Sequence, residues 1–171
     1  MNLITEASAE KLRGGFYTPE PIAEFVLRWG INGSKDFDIL EPSCGDGVFL
    51  EQLEKLKLIY KSITAVELDE EEAAKAEKIN LKNKQIINDD FHTYCNNTLK
   101  RFDLIVGNPP YIRYQFFDRQ QQAEAGDIFI KAGLTYSKLT NAWVSFVVGS
   151  SLLLKDKGGR IGFVLPAEVL Q

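Results

Sequence analysis

Asn108-Pro109-Pro110-Tyr111, which follows the apolar run Phe102 to Val106, is the sharpest chemical signal in the chain. An asparagine side-chain oxygen and the Pro109 carbonyl can be held as two fixed acceptors, while the prolines lock the backbone and remove competing N–H donors. Two acceptors at one point suit an NH2 group. Holding both of its hydrogens draws the lone pair out of conjugation and aims it outward, where it can attack an electrophilic methyl group. Tyr111 adds a face on which a planar amine substrate can stack. Alone, the tetrapeptide could be a proline-rich turn closing a strand. Three other clusters of the same kind argue for more.

Glu41-Pro42-Ser43-Cys44-Gly45-Asp46-Gly47 is a tight loop whose glycines let backbone amides approach a ligand. Leu50 stands where a dinucleotide fingerprint has its third glycine, which disfavours a nicotinamide enzyme. Glu41 repels a pyrophosphate and attracts an ammonium, so a zwitterionic, phosphate-free nucleoside fits better. Glu67 ends a second β-rich run, where a carboxylate can take both ribose hydroxyls; the alternative is a solvated surface acid. Asp90-Phe91 offers an acceptor for an exocyclic adenine amine and a ring for the purine face. Asp89 is the other candidate acceptor, and core burial the other use of Phe91.

Each cluster needs an element to hold it. Thr18 as cap and Pro19 at the first position open a helix carrying Ile22, Ala23, Phe25, Val26 and Trp29, closed by Gly30. Phe37 to Leu40 reads as a strand, and Val48, Phe49, Leu53 and Leu56 mark a helix after the glycine loop. Ser62 to Val66 is a second strand and Glu70 to Asn83 a helix with a Glu71–Lys75 pair. Gln85 to Asn88 and Phe102 to Val106 are strands three and four; helices are expected over about Asp127 to Lys138 and Ala142 to Lys155. Gly158-Gly159 turns the chain into a fifth strand, Arg160 to Leu165, stopped by Pro166. Strands alternating with helices predict an α/β domain with a mostly parallel sheet, helices on both faces, and the ligand site at the strand carboxyl ends.

The 171 residues fit one domain, and 44% apolar with 26% charged residues is a globular composition. No apolar run reaches the roughly 18 residues of a membrane span and no signal peptide is read, so a cytoplasmic location is expected. Cys44 and Cys95 read as free thiols. Twenty basic against 24 acidic residues, net charge −4, argue against a large basic face for nucleic acid on this chain. A Ser-His-Asp machine or a zinc site would have to use the single histidine, His92, which is read instead as partly buried; no metal is expected.

Six motifs in this order resemble the S-adenosylmethionine-dependent N6-adenine DNA methyltransferases of restriction-modification systems, in the group whose cofactor motifs precede the catalytic one. The resemblance runs from Gly14 to Gln171. It makes Gly14 to Pro19, with Tyr17, Thr18 and Pro19, the motif against the methionine end of the cofactor, and Glu41, Pro42, Ser43, Cys44, Gly45 and Gly47 the glycine loop. Glu67 and Leu68 match the ribose motif, Asp90 and Phe91 the adenine motif, and Asn108, Pro109, Pro110 and Tyr111 the catalytic tetrapeptide, with Asn108 also near the cofactor. Thr140 to Trp143 and Gly158 to Pro166 match a later helix and strand.

What the resemblance implies is a Rossmann-like class I methyltransferase fold, S-adenosylmethionine as cofactor, and a flipped adenine of DNA as substrate. The family's sheet has seven strands and five are read here, so residues 1–171 are expected to be one incomplete catalytic domain without its C-terminal strands and target-recognition domain. Such a fragment could bind cofactor without turning over. Tyr114, Arg113 and Arg119 are candidate phosphate or strand contacts, the alternative being an exposed loop; DNA is the expected partner, and an endonuclease or specificity module, fused or separate, is open as a further one. The competing readings are a methyltransferase for a protein glutamine amide or an RNA adenine, which present the same NH2 geometry, and a non-catalytic positioning subunit.

Overall fold

Five short apolar runs become the strands of one parallel sheet in the computed structural model, which describes residues 17–33, 36–113, 116–135 and 141–170. The strands are β1 (Asp38–Glu41), β2 (Ser62–Glu67), β3 (Lys84–Asn88), β4 (Leu104–Gly107) and β5 (Arg160–Phe163). They pair in parallel in the order β3-β2-β1-β4-β5. The helices are α1 (Glu20–Ile31), α2 (Val48–Lys55), α3 (Glu70–Glu77), α4 (Phe91–Asn97), α5 (Arg119–Lys131) and α6 (Ala142–Leu153), with a 3-10 turn at Ala167–Leu170.

All four residues of β4 and three of β1 are buried, as a sheet covered on both faces requires. Neighbouring residues serve opposite cores. Ile39, Ala65, Leu104 and Val106 pack with Ala23, Leu27, Phe49, Leu53 and Ala76 from α1, α2 and α3. Leu40, Val66 and Ile105 pack with Phe91, Cys95, Ile128, Phe146 and Leu153 from α4, α5 and α6. Each such large side chain taken fully out of water contributes roughly 1.5–3 kcal/mol. Strand order reverses between β1 and β4, which puts the ligand crevice at their carboxyl ends.

The expected α/β architecture is present, and its boundaries differ for physical reasons. Pro19, not Thr18, caps α1, with no side-chain cap bond, and the helix runs on through Gly30 to a left-handed Asn32. Gly30 is there for contact: a Cβ would meet Leu104 Cδ1 at 2.6 Å. The buried face of α1 is Ala23, Val26, Leu27, Gly30 and Ile31, whereas Phe25 is 70% exposed and Trp29, beside Gly162 of β5, 50%. Helix α3 stops at Glu77, because the Lys84 ammonium takes the carbonyls of Ala76, Glu77 and Ile79 at 3.0, 2.6 and 2.8 Å. Its ion pair is Glu72 to Lys75 at 2.8 Å, one residue from the pair the spacing suggested.

One helix was not read from the sequence, and another is displaced from its expected bounds, ending at Lys131. Asp90 caps α4 by accepting from the amides of His92 and Thr93. Asp118 caps α5 in a reciprocal box with Gln121, starting the helix eight residues before the expected Asp127. The fifth strand ends at Phe163 rather than Leu165, although Val164 N still donates to the Gly107 carbonyl at 3.0 Å. At the opposite end of the sheet Asp38 and Asp103 share the Lys155 ammonium, at 3.1 and 2.7 Å. Gly14 to Phe16, Tyr114, Thr140 and Gln171 lie outside the described residues.

Candidate active site

Loop Pro42 to Gly47 leaves β1 with two glycines in the left-handed region, Gly45 at φ +54° and Gly47 at φ +101°. At Gly47 a Cβ would also meet Ile79 Cδ1 at 2.5 Å, so only glycine starts α2 here. Cys44 N donates to the Val66 carbonyl at 3.0 Å, tying the loop to β2. Glu67 completes the tie: Oε2 accepts from Gly45 N at 2.8 Å and Oε1 from Asp69 N at 2.9 Å. Burial pushes the Glu67 carboxyl up, and those backbone bonds work against it. Each oxygen keeps lone-pair capacity for a further donor, which makes the carboxylate a fixed acceptor for a vicinal diol.

Glu41 is 1% exposed, and its Oε2 has no hydrogen-bond partner among the described residues. Burial, and then the charges of Glu67 and Asp46, push its carboxyl well above the usual carboxylate range. A buried carboxyl with an unmatched oxygen at the carboxyl end of a central strand is a place for a cation. The Cys44 thiol beside it is buried and pushed up, first by burial and then by Glu41, so it is no nucleophile.

Beyond β3 lies a cleft of about 320 Å³ with Leu68, Asp89, Asp90, Asp118 and Gln121 in its wall. Asp90 Oδ1 accepts from His92 N (2.8 Å), His92 Nδ1 (2.9 Å) and Thr93 N (3.3 Å), and Oδ2 accepts from Gln121 Nε2 (3.0 Å). Burial would raise this carboxyl; the His92 and Gln121 contacts outweigh it and hold it below its ordinary value. Asp89 Oδ1 is turned back onto Asp90 N at 2.8 Å. His92 is fully buried rather than partly so, with Nε2 2.7 Å from Ser145 Oγ. Ser145, His92 and Asp90 therefore stand in the order of a catalytic triad, yet Ser145 is 2% exposed and its hydroxyl donates to the Ala142 carbonyl at 2.7 Å. No substrate reaches that hydroxyl, and the row is structural.

At the end of β4, Asn108 and Tyr111 are half-buried and Pro109 is buried. Ser43 Oγ donates to the Asn108 carbonyl at 3.4 Å, joining this segment to the glycine loop. The Tyr111 hydroxyl lies 2.5 Å from Asn108 Oδ1 and 2.8 Å from the Val164 carbonyl. A separation of 2.5 Å is that of an O–H···O bond, so Tyr111 donates to Asn108 Oδ1, with the Val164 carbonyl as the second acceptor in reach of the same hydrogen. Just beyond, Ala142 N donates to the Ile112 carbonyl at 2.8 Å and so fixes the segment to α6.

Residues 2–171 match the family model described as N-6 DNA Methylase. The chain belongs to the N-6 DNA methylase family. This methylase chain is 31% identical over 153 residues to the type II methyltransferase M.HincII of Haemophilus influenzae, covering 90% of itself and 28% of that protein. It is also 31% identical over 137 residues to a tRNA1(Val) (adenine(37)-N6)-methyltransferase of the same organism, covering 77% of itself and 54% of that protein. The methyltransferase subunit of a type I restriction-modification system from Streptococcus thermophilus has the same fold, with a TM-score of 0.70 at 22% identity over 91% of the methylase chain and 35% of that chain.

In the methylase chain the sheet brings Glu41, Ser43, Gly45, Gly47, Glu67, Asp90 and Asn108 to Tyr111 to one edge, at the ends of adjacent strands. Tyr17 and Pro19 are exposed and Thr18 buried ahead of α1, and Pro42 is buried in the loop. The Phe91 ring is not in the cleft. It is 2% exposed and stacks on Phe146 at 4.8 Å, so of the two uses open to it the structure has core packing. Among the described residues no group of three His, Cys, Asp or Glu could hold a metal ion, and no helix is long and apolar enough to cross a membrane. Gln121 and Asp118 were not singled out from the sequence. The signal that could have found them is Asp118-x-x-Gln121, a cap residue with its reciprocal partner three positions on.

Proposed function

We propose that this chain is the catalytic core of a site-specific DNA methyltransferase of a restriction-modification system, moving the methyl group of S-adenosylmethionine to the N6 amine of a flipped adenine. What supports the reading, beyond the family, is the junction of Asn108 with the glycine loop through Ser43, beside a buried carboxyl with an unmatched oxygen and a carboxylate set for a diol. The unmatched Oε2 of Glu41 fits the ammonium of the methionine end, Glu67 fits the ribose hydroxyls, and Asp90 fits the exocyclic amine of the cofactor's adenine. Leu68, 60% exposed, offers that ring an apolar face.

When bound, S-adenosylmethionine supplies a methyl group activated by its sulfonium. Asn108 Oδ1 and the Pro109 carbonyl take the two hydrogens of the target amine and aim its lone pair, while the Tyr111 ring bears on the base. After transfer the cationic amine is acidic and loses its proton to water, so no side chain is assigned as a base. Extrusion of the base costs a few kcal/mol of stacking and pairing, which contacts to the flipped base must offset.

Residues 1–171 form one catalytic domain in this reading, with DNA sequence recognition and any endonuclease partner carried elsewhere. The net charge of −4 and the 28% span of M.HincII support that division. The tRNA-adenine relative makes RNA adenine the second reading. The test is calorimetric titration with S-adenosylmethionine together with transfer of labelled methyl to duplex DNA and to tRNA by the full-length protein. Glu67→Ala should weaken cofactor binding by about tenfold or more, while Asn108→Ala abolishes transfer and keeps cofactor affinity within about threefold. Equal loss of binding and transfer in Asn108→Ala would overturn its assignment, and transfer to tRNA alone would replace DNA with RNA.

A further inference from the structure

Asp90 divides its two oxygens between two tasks. Oδ1 is saturated by the three N–H donors of His92 and Thr93, whereas Oδ2 faces one donor, Gln121 Nε2, at 3.0 Å in the wall of the cleft. Gln121 reaches it from α5, and its amide has no choice of orientation. Oε1 accepts from Asp118 N at 3.2 Å in the capping box, while Asp118 Oδ1 accepts from Gln121 N at 2.8 Å. Phe117, buried edge-on against the His92 ring at 5.3 Å, holds this start of α5 in place. The nitrogen of Gln121 is thus fixed toward Asp90, and a second N–H remains on that nitrogen beside the acceptor Oδ2. A donor next to an acceptor is the complement of an adenine edge, where the 6-amine donates and a flanking ring nitrogen accepts. A 6-oxo purine presents an oxygen to Oδ2 instead and is repelled.

We propose that Gln121 is a specificity-determining residue for the cofactor's adenine: Asp90 Oδ2 takes the 6-amine while the second N–H of Gln121 binds the ring nitrogen flanking it. The inference rests on the cofactor reading given above and adds a ligand that the strand-end motifs do not contain. Its two residues come from the segment after β3 and from α5, so the purine is read by one residue of the sheet edge and one of the helix over it.

The test titrates S-adenosylhomocysteine and its 1-deaza and 7-deaza analogues into the chain and into Gln121→Leu and Gln121→Glu. Gln121→Glu keeps an oxygen for the capping box and has no N–H to offer, so it separates the donor from the cap. Both variants should bind S-adenosylhomocysteine about tenfold more weakly, the size of one hydrogen bond. One deaza analogue should lose about the same factor with the unaltered chain and nothing further with Gln121→Leu, as a double-mutant cycle requires. Unchanged affinity in Gln121→Leu would leave Gln121 a cap alone, tighter binding would make it a competitor for Oδ2, and affinity retained in Gln121→Glu would assign the effect to the cap. Any of these overturns the inference while Glu67→Ala still weakens binding. No binding of S-adenosylhomocysteine to the unaltered chain overturns the cofactor reading itself, and the inference with it.

Discussion

Replacing Glu41 by leucine should make the protein more stable and its cofactor site worse. The side chain is 1% exposed, Oε2 has no partner among the described residues, and Glu67 and Asp46 add like charge. A buried polar atom without a partner costs about 1–3 kcal/mol, and leucine fills a similar volume with no polar atom. The expected gain at pH 7 is therefore about 1–3 kcal/mol, a rise in Tm of roughly 2–10 °C for a domain of this size. The sign of the pH dependence follows from the raised carboxyl. The folded chain binds a proton that the unfolded chain has already lost, so wild-type stability is fully present below the ordinary glutamate value of 4.5 and declines as pH climbs toward the folded value. The gap between variant and wild type should be narrowest below pH 4.5 and widen above it. Affinity for S-adenosylmethionine should fall at least about tenfold, because the ammonium loses its anion. Thermal melts across pH and calorimetry read both effects. A variant that melts below wild type at pH 7 would refute the argument that the carboxyl is unmatched. A stabilised variant with undiminished affinity would remove the ammonium from Glu41.

Three other expectations come from the same geometry. Tyr111→Phe keeps the ring and loses the contacts to Asn108 and Val164, so methyl transfer should fall about tenfold with cofactor affinity unchanged, and an undiminished rate would show that the hydroxyl does not orient Asn108. Asp38, whose carboxyl burial would raise but which the Ser62 hydroxyl, Lys61 and Lys155 hold down at about 2, contributes up to about 2 kcal/mol above the unfolded value near pH 4, lost as pH falls toward 2. Urea unfolding should therefore show Lys155→Met less stable than wild type at pH 7 and the two converging near pH 2, and a constant difference would reject the linkage. Gly47→Ala puts a methyl 2.5 Å from Ile79 Cδ1 at φ +101° and should cost about 2 kcal/mol or more in urea unfolding, with a neutral effect showing that the loop can relax.

The strand ends that form the candidate site were more legible in the sequence than the helices α4 and α5 beside them. Strand ends in a parallel sheet are marked by residues that cannot continue a ladder, so Glu41 to Gly47, Glu67, Asp89-Asp90 and Asn108 to Tyr111 announced themselves as punctuation. The sequence Phe-His-Thr-Tyr-Cys-Asn-Asn of α4 is too short and too polar for periodicity to show, and the first turns of α5, Arg-Gln-Gln-Gln, hold no apolar residue. Caps, not hydrophobic spacing, set both. Gly30 shows a different limit. A glycine that ends a helix and one that lets a helix touch a strand look alike in sequence, and only Leu104, 74 positions away, separates them. The Phe91 ring was ambiguous for the same reason, since its choice between cleft and core is made by Phe146 and Gly149 on α6.

The buried row behind Asp90 reaches further than the cleft. His92 joins Asp90 to Ser145, Ser145 donates to the Ala142 carbonyl, and Ala142 N holds the carbonyl of Ile112, the residue after Tyr111. A row of buried polar contacts, continued through the backbone of Ala142, thus leads beneath the crevice from the Asp90 carboxylate to the residue that follows the tetrapeptide. If Asp90 and the tetrapeptide hold methyl donor and methyl acceptor as proposed, the alignment of the two is a property of the interior as much as of the residues that touch them. A change at Ser145, invisible from solvent and 53 positions from His92, would look like a packing defect and behave like an error in aim.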